Sequence, residues 1–302
     1  MERRRAAPKA SRRTATRCRG QSSAPLRGAT VCPRGLDFAV CNSEASLMTA
    51  TVPGRLLLVP APLDFGCDQQ APLQDVLPLA TLQAAARLRY WICENAKSTR
   101  AYLKRVDAIT PLQLPLRELQ MQELPRSVHK DDNPRAAFDA DALLAPALAG
   151  QDVGLVSEAG MPAIADPGAS VVRAAHRLSL VVLPLVGPVS LMLVLAASGL
   201  NGQDFAFVGY LPQDAQGRAN RIRQLERLVL SSGQTQLFIE TPYRNAALLH
   251  ALLQTLSPAC RLAVGSGMTL PQAQVRCLTV GQWRDTGFVF NRHTPAVFAL
   301  GR

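Results

Sequence analysis

The sequence has no Cys-x-x-Cys pair. Its seven cysteines, Cys18, Cys32, Cys41, Cys67, Cys93, Cys260 and Cys277, are scattered. A zinc site built on paired thiols is excluded. An odd, dispersed set fits the reduced thiols of a cytoplasmic protein better than a disulfide framework. His129, His176, His250 and His293 are equally far apart, so no metal is expected. Neither GxGxxG nor GxxxxGK[ST] occurs, which removes a Rossmann dinucleotide site and a P-loop. No GxSxG elbow is present either. Aromatics are sparse at 5%, and charged residues are few at 18%. No solenoid-length repeat is found. The 48% of hydrophobic residues is too many for a largely disordered chain.

What is present begins with charge. The formal net charge is +11, but residues 1–47 hold nine Arg and Lys9 against Glu2, Asp37 and Glu44, a net of +7, leaving +4 for residues 48–302. We read residues 1–47 as a disordered basic extension lying upstream of a start at Met48. A nucleic-acid-binding arm and an organelle transit peptide are the alternative readings of the same composition.

Residues 178–203 contain no charge, long enough to raise a membrane span. Pro184, Gly187 and Pro188 divide that run into a short buried strand, 180–185, and a buried helix, 189–198, closed by Gly199. No membrane association is expected.

After Met48, apolar strands alternate with helical segments. Strands are predicted at 55–61, 89–94, 152–157 and 180–185, with another at 112–116. Helices are predicted at 73–88, 98–106, 134–149, 168–178 and 189–198, and a long loop at 120–133. That alternation predicts a mostly parallel sheet with helices on both faces. Beyond Asn201-Gly202 come strands at 205–210 and 236–240, helices at 219–230 and 244–256, and then strands at 261–264, 274–280, 287–290 and 296–300. The expected architecture is therefore two α/β domains, 48–202 and 203–302, the second with a mixed sheet.

Ligands of open α/β sheets bind beyond the carboxyl ends of the strands. Three loops there are built of small residues, Pro and Gly: 60–62, 157–168 and 186–190. Small residues let backbone approach a ligand closely. None of the three carries Lys or Arg, so the ligand is expected to be uncharged or cationic. Glu158 is the acid beside the Gly-Met-Pro turn. A further cluster, Glu94 to Arg100 followed by Lys104, places Lys97, Arg100 and Lys104 on one helix face, where they suit a phosphate backbone. A solvated helix face is the plainer reading of that spacing.

Taken in order, these segments resemble the tetrapyrrole methylase superfamily, in its branch of ribosomal small-subunit RNA (cytidine-2′-O)-methyltransferases. The stretch Leu155-Val-Ser-Glu-Ala-Gly-Met-Pro-Ala-Ile-Ala-Asp-Pro-Gly168 is similar to that branch's signature loop. Val182 to Ser190, Ala197 to Leu200, Phe207 to Pro212 and Glu240-Thr-Pro-Tyr-Arg244 follow in family order. The resemblance implies an S-adenosylmethionine-dependent methyltransferase fold of two α/β domains, with the donor in the cleft between them, and a cytoplasmic homodimer. Donor contacts would fall on Pro60, Glu158, Ala159, Gly160, Met161, Pro162, Ile164, Pro188, Val189, Ser190, Ile239 and Glu240. Lys97, Arg100 and Lys104 would meet RNA, and Glu94 and Glu158 are the candidate bases. The implied acceptor is small-subunit ribosomal RNA. A tetrapyrrole or other small acceptor, and a non-catalytic RNA- or cofactor-binding relative, are the alternatives. The sequence departs from the family where Pro62-Leu-Asp-Phe-Gly66 replaces Pro-Ile-Gly-Asn-Leu and where Ser266-Gly-Met-Thr-Leu270 replaces Arg-Glu-Leu-Thr-Lys. It also ends without the family's usual helical C-terminal extension.

Overall fold

The computed structural model describes residues 52–64, 66–125 and 139–302. The basic segment 1–47 and the stretch 126–138 of the expected loop and helix lie outside them.

Strands β1 (Arg55–Leu58), β2 (Tyr90–Cys93), β3 (Gln120–Glu123), β4 (Val153–Val156) and β5 (Val181–Pro184) form one sheet in the order β3-β2-β4-β1-β5. Every pairing in it is parallel. The central strand β4 is buried along its whole length, as an apolar strand covered on both faces must be. On one face Leu57, Val59 and Trp91 pack with residues of α1 (Leu73–Val76), α2 (Leu79–Arg87) and α3 (Ala96–Asp107). On the other, Leu56, Ile92 and Leu155 pack with α4 (Ala145–Leu148) and α5 (Ala169–Arg177). Helix α3 starts earlier than expected because the Asn95 side chain accepts hydrogen bonds from the Lys97 and Ser98 amides.

The apolar run divides, as anticipated, into β5 and α6 (Ser190–Ser198), and α6 ends at Gly199 with φ +70°. The strand is not the buried one expected: β5 lies at the sheet edge and leaves Val181 and Leu183 exposed. Among the described residues no helix is long and apolar enough to cross a membrane. A second sheet follows. Strands β6 (Phe205–Tyr210), β7 (Thr235–Glu240), β8 (Arg261–Ser266), β9 (Gln274–Thr279) and β10 (Ala296–Gly301) take the order β6-β7-β10-β8-β9. Its β6–β7 pair is parallel and the rest antiparallel, so the sheet is mixed. Helix α6 packs on one face, with Val194 against Ala263 and Val297. Helices α7 (Ala215–Ser232), α8 (Asn245–Thr255) and α9 (Val280–Arg284) cover the other around Phe238, Phe298 and Trp283. Gly265 permits the close approach of α6, because a Cβ there would stand 2.1 Å from Val194 Cγ2. Both sheets belong to one compact unit.

Some elements differ from the sequence reading. Residues 112–116 form no strand; Pro111 and Pro115 interrupt the ladder. Leu112, Leu114 and Leu116 instead lie as a cover on the first core. Residues 120–123, expected in a loop, form the edge strand β3, whose exposed side chains leave no apolar signal. The described part of the expected helix 134–149 is a 3-10 turn, Ala142–Leu144, followed by the short α4. Residues 287–290 alternate inward and outward without pairing: Phe288 and Phe290 face the core and Val289 faces solvent. The helix 73–88 is broken at Pro78, where α2 begins.

Candidate active site

Strand order sets the site. Neighbours β4, β1 and β5 bring the three small-residue loops side by side at their carboxyl ends. The first two are joined directly: Ala61 N–H donates to Gly160 O at 2.9 Å, and Gly160 N–H donates to Ala61 O at 3.1 Å. Gly160 has φ +73°, and a Cβ there would stand 3.1 Å from Leu63 Cδ2 and 3.6 Å from the Pro188 carbonyl oxygen. Ala163 and Ala165 also take left-handed φ, at 65° and 62°. Such strain in non-glycine residues collects at functional loops.

These loops face the ends of β7, β8 and β10 across a cavity of about 620 Å³. Glu158, Ala159, Gly160, Met161, Ile164, Val189, Ser190, Ile239 and Glu240 are in its wall, as is Glu94. Pro60, Pro162 and Pro188 are buried and outside the wall. The exposed side chains of Lys97, Arg100 and Lys104 also lie outside it. Lys97 lines a smaller hollow that meets the cavity at Gly66 and Glu158. Sequence reasoning passed over Asp166, Tyr210, Gly267, Met268 and Arg292, all in the wall. Gly267 and Met268 fall in the segment that departs from the family pattern.

The wall is mostly apolar with acids at defined places. Glu94, just past β2, accepts from the Glu158 amide at 3.2 Å, and Glu158 Oε1 accepts from the Ser98 hydroxyl at 3.3 Å. Glu240 is committed elsewhere. It accepts from Arg244 Nε at 2.9 Å and from the Thr241 amide at 2.7 Å, with its side chain only 3% exposed. Asp166 is different. Burial, reinforced by the charges of Glu94 and Glu158, pushes its carboxyl up to about 7 against the pull of Ser157. Partial burial and the charges of Asp166 and Glu240 also raise the Tyr210 phenol. Asp64, past the first loop, is held by a forked ion pair: Arg105 donates to both of its carboxylate oxygens, at 3.0 and 2.9 Å. Among the described residues no group of His, Cys, Asp and Glu is placed to hold a metal.

The family model for tetrapyrrole (corrin/porphyrin) methylases matches residues 78–283, more than half of the chain. The chain belongs to that family. Among curated proteins, a ribosomal RNA small subunit methyltransferase I of Pseudomonas aeruginosa is 32% identical over 136 residues, 45% of this chain and 47% of the relative. One of the same name from Xylella fastidiosa is 29% identical over 214 residues, covering 71% and 68%. The chain spans about half the length of most of the curated relatives it matches. Among solved structures, the methyltransferase CobJ aligns over 82% of this chain and 94% of its own, at 16% identity and a TM-score of 0.50. That likeness establishes the tetrapyrrole methylase fold, a parallel sheet joined to a mixed one.

Proposed function

We propose that the chain is an S-adenosylmethionine-dependent methyltransferase acting on a ribose hydroxyl of small-subunit ribosomal RNA. The observation that carries this reading is the cavity between the sheets, with backbone loops on one side and Glu94, Glu158 and Asp166 around it. Its residues fit the donor. The absence of a Cβ at Gly160 leaves backbone open to a ligand, and the carboxylates favour a cationic sulfonium. Ala159, Gly160, Met161 and Ile164 would hold it from the loop after β4; Val189 and Ser190 would hold it from the start of α6, and Ile239 and Glu240 from the end of β7. When bound, the donor supplies an already activated, electrophilic methyl group.

What remains for the chain is alignment and proton removal. As the hydroxyl oxygen bonds to the methyl carbon, its proton must leave. Asp166, balanced near neutrality, is the group suited to accept it, while Glu94 and Glu158 act through the charge that tunes it. The names of the relatives support ribosomal RNA as acceptor, and a cytoplasmic location goes with that acceptor. We place a second copy of the chain against the exposed apolar strip of Val181, Leu183, Val186, Met192 and Leu193, on the free edge of the first sheet and on α6. Primer extension at low nucleotide concentration tests the acceptor, on small-subunit RNA from cells with and without the gene. One ribose-methylation stop should vanish in the deletion; an unchanged pattern rejects the RNA reading.

A further inference from the structure

A second cavity, of about 790 Å³, opens beside the first and shares Pro242, Tyr243 and Arg292 with it. Its charge is opposite. The first carries Glu94, Glu158, Asp166 and Glu240 against the shared Arg292, whereas the second carries Arg284 and Arg292 and no Asp or Glu. Its floor is a fixed aromatic group. Phe288 meets Trp283 and Phe290 edge-on, with centroids 5.4 and 4.9 Å away, and the Arg276 guanidinium stands 5.4 Å from its ring centre. Arg284 is anchored by donating to Leu253 O at 2.7 Å. The rim is open: Val289 is 83% exposed, and Tyr243 is 71% exposed with Arg244 against its ring.

We propose that this cavity is a nucleotide subsite, taking the base and phosphate of a residue that flanks the methyl-accepting ribose in single-stranded RNA. The inference rests on the RNA reading above. A phosphate backbone is repelled by the acids of the central cavity and drawn to cations beside it. Cations stand at both hollows that adjoin the central cavity: Lys97 at one, with Arg100 and Lys104 further along α3, and Arg284 and Arg292 here. The strand crosses the acidic centre between these two basic banks. An unstacked base then finds the exposed Tyr243 ring at the rim, with half-buried Phe288 behind it, which suits single-stranded RNA better than a duplex.

The test uses the full chain and a single-stranded RNA of about twelve nucleotides centred on the methylated ribose, a length matched to such grooves. Binding is read by fluorescence anisotropy and donor affinity by calorimetry. Val289→Glu and His250→Glu change exposed side chains, and circular dichroism checks their fold. Each should weaken RNA about tenfold and leave donor affinity unchanged. In the wild type, an abasic residue at one flanking position should weaken binding by a similar factor, and Val289→Glu should erase that penalty. If both variants bind RNA like the wild type while Lys97→Glu weakens it, the subsite is elsewhere and the RNA reading stands. If the wild type binds no RNA, the acceptor assignment itself fails and takes the subsite with it.

Discussion

Replacing Asp166 by Asn keeps the shape of the side chain and removes its charge, so stability and catalysis should move in opposite directions. Burial and the charges of Glu94 and Glu158 lift this carboxyl from 3.8 to about 7. At about 1.4 kcal/mol per unit, the anion costs the fold at most roughly 4 kcal/mol. Because Asp166 is only partly buried, solvent relaxation should reduce that to about 1–3 kcal/mol. The folded state holds this proton more tightly than the unfolded chain. The stability it contributes is therefore complete below about pH 4 and is lost as pH rises through about 7. Asp166→Asn should match the wild type in urea unfolding near pH 4 and exceed it by about 1–3 kcal/mol at pH 8. Single-turnover methylation should behave oppositely. The wild-type rate should climb about tenfold per pH unit below 7 and level off above 8, and the variant should be about 10²–10⁴-fold slower without that rise. A variant that keeps the wild-type rate and profile would refute Asp166 as proton acceptor. One no more stable at pH 8 than at pH 4, relative to wild type, would refute the electrostatic account behind it.

Arg244→Met leaves the Glu240 carboxylate buried without its partner, and thermal denaturation should show a loss of about 3 kcal/mol. Gly265→Ala drives a methyl to within 2.1 Å of Val194 Cγ2; α6 must shift off the second sheet, at a cost of about 1–3 kcal/mol in urea unfolding. Gly160→Arg sets a long side chain on a left-handed residue facing the cavity, and should abolish donor binding while the far-ultraviolet dichroism of the fold persists.

The strands that carry most of the site were legible because they are buried on both faces. Segments such as 153–156 and 235–240 read as apolar runs flanked by Gly, Pro and Ser. Loop placement followed from parallel topology, which gathers carboxyl ends on one side. The edge strand β3 was invisible because its Gln and Glu side chains point to solvent and only its backbone pairs. Residues 112–116 and 287–290 misled because alternation also marks a segment lying over a core without pairing. Asp166 stood in the quoted loop yet showed nothing special by itself. Its character comes first from burial and then from Glu94, on a different strand end, and neither burial nor such neighbours across the sheet leave a spacing to read. Gly267, Met268 and Arg292 enter the wall from the second sheet, and no sequence pattern links them to the loop at 157–168.

The central claim is that the cavity between the sheets binds the methyl donor. Isothermal titration of the full chain with S-adenosylmethionine, and with its demethylated product, tests it most directly. One site per chain should be filled by each, and Gly160→Arg should lose both. A folded wild-type chain that gives no binding heat with either compound, across temperatures that change the enthalpy, would contradict the account.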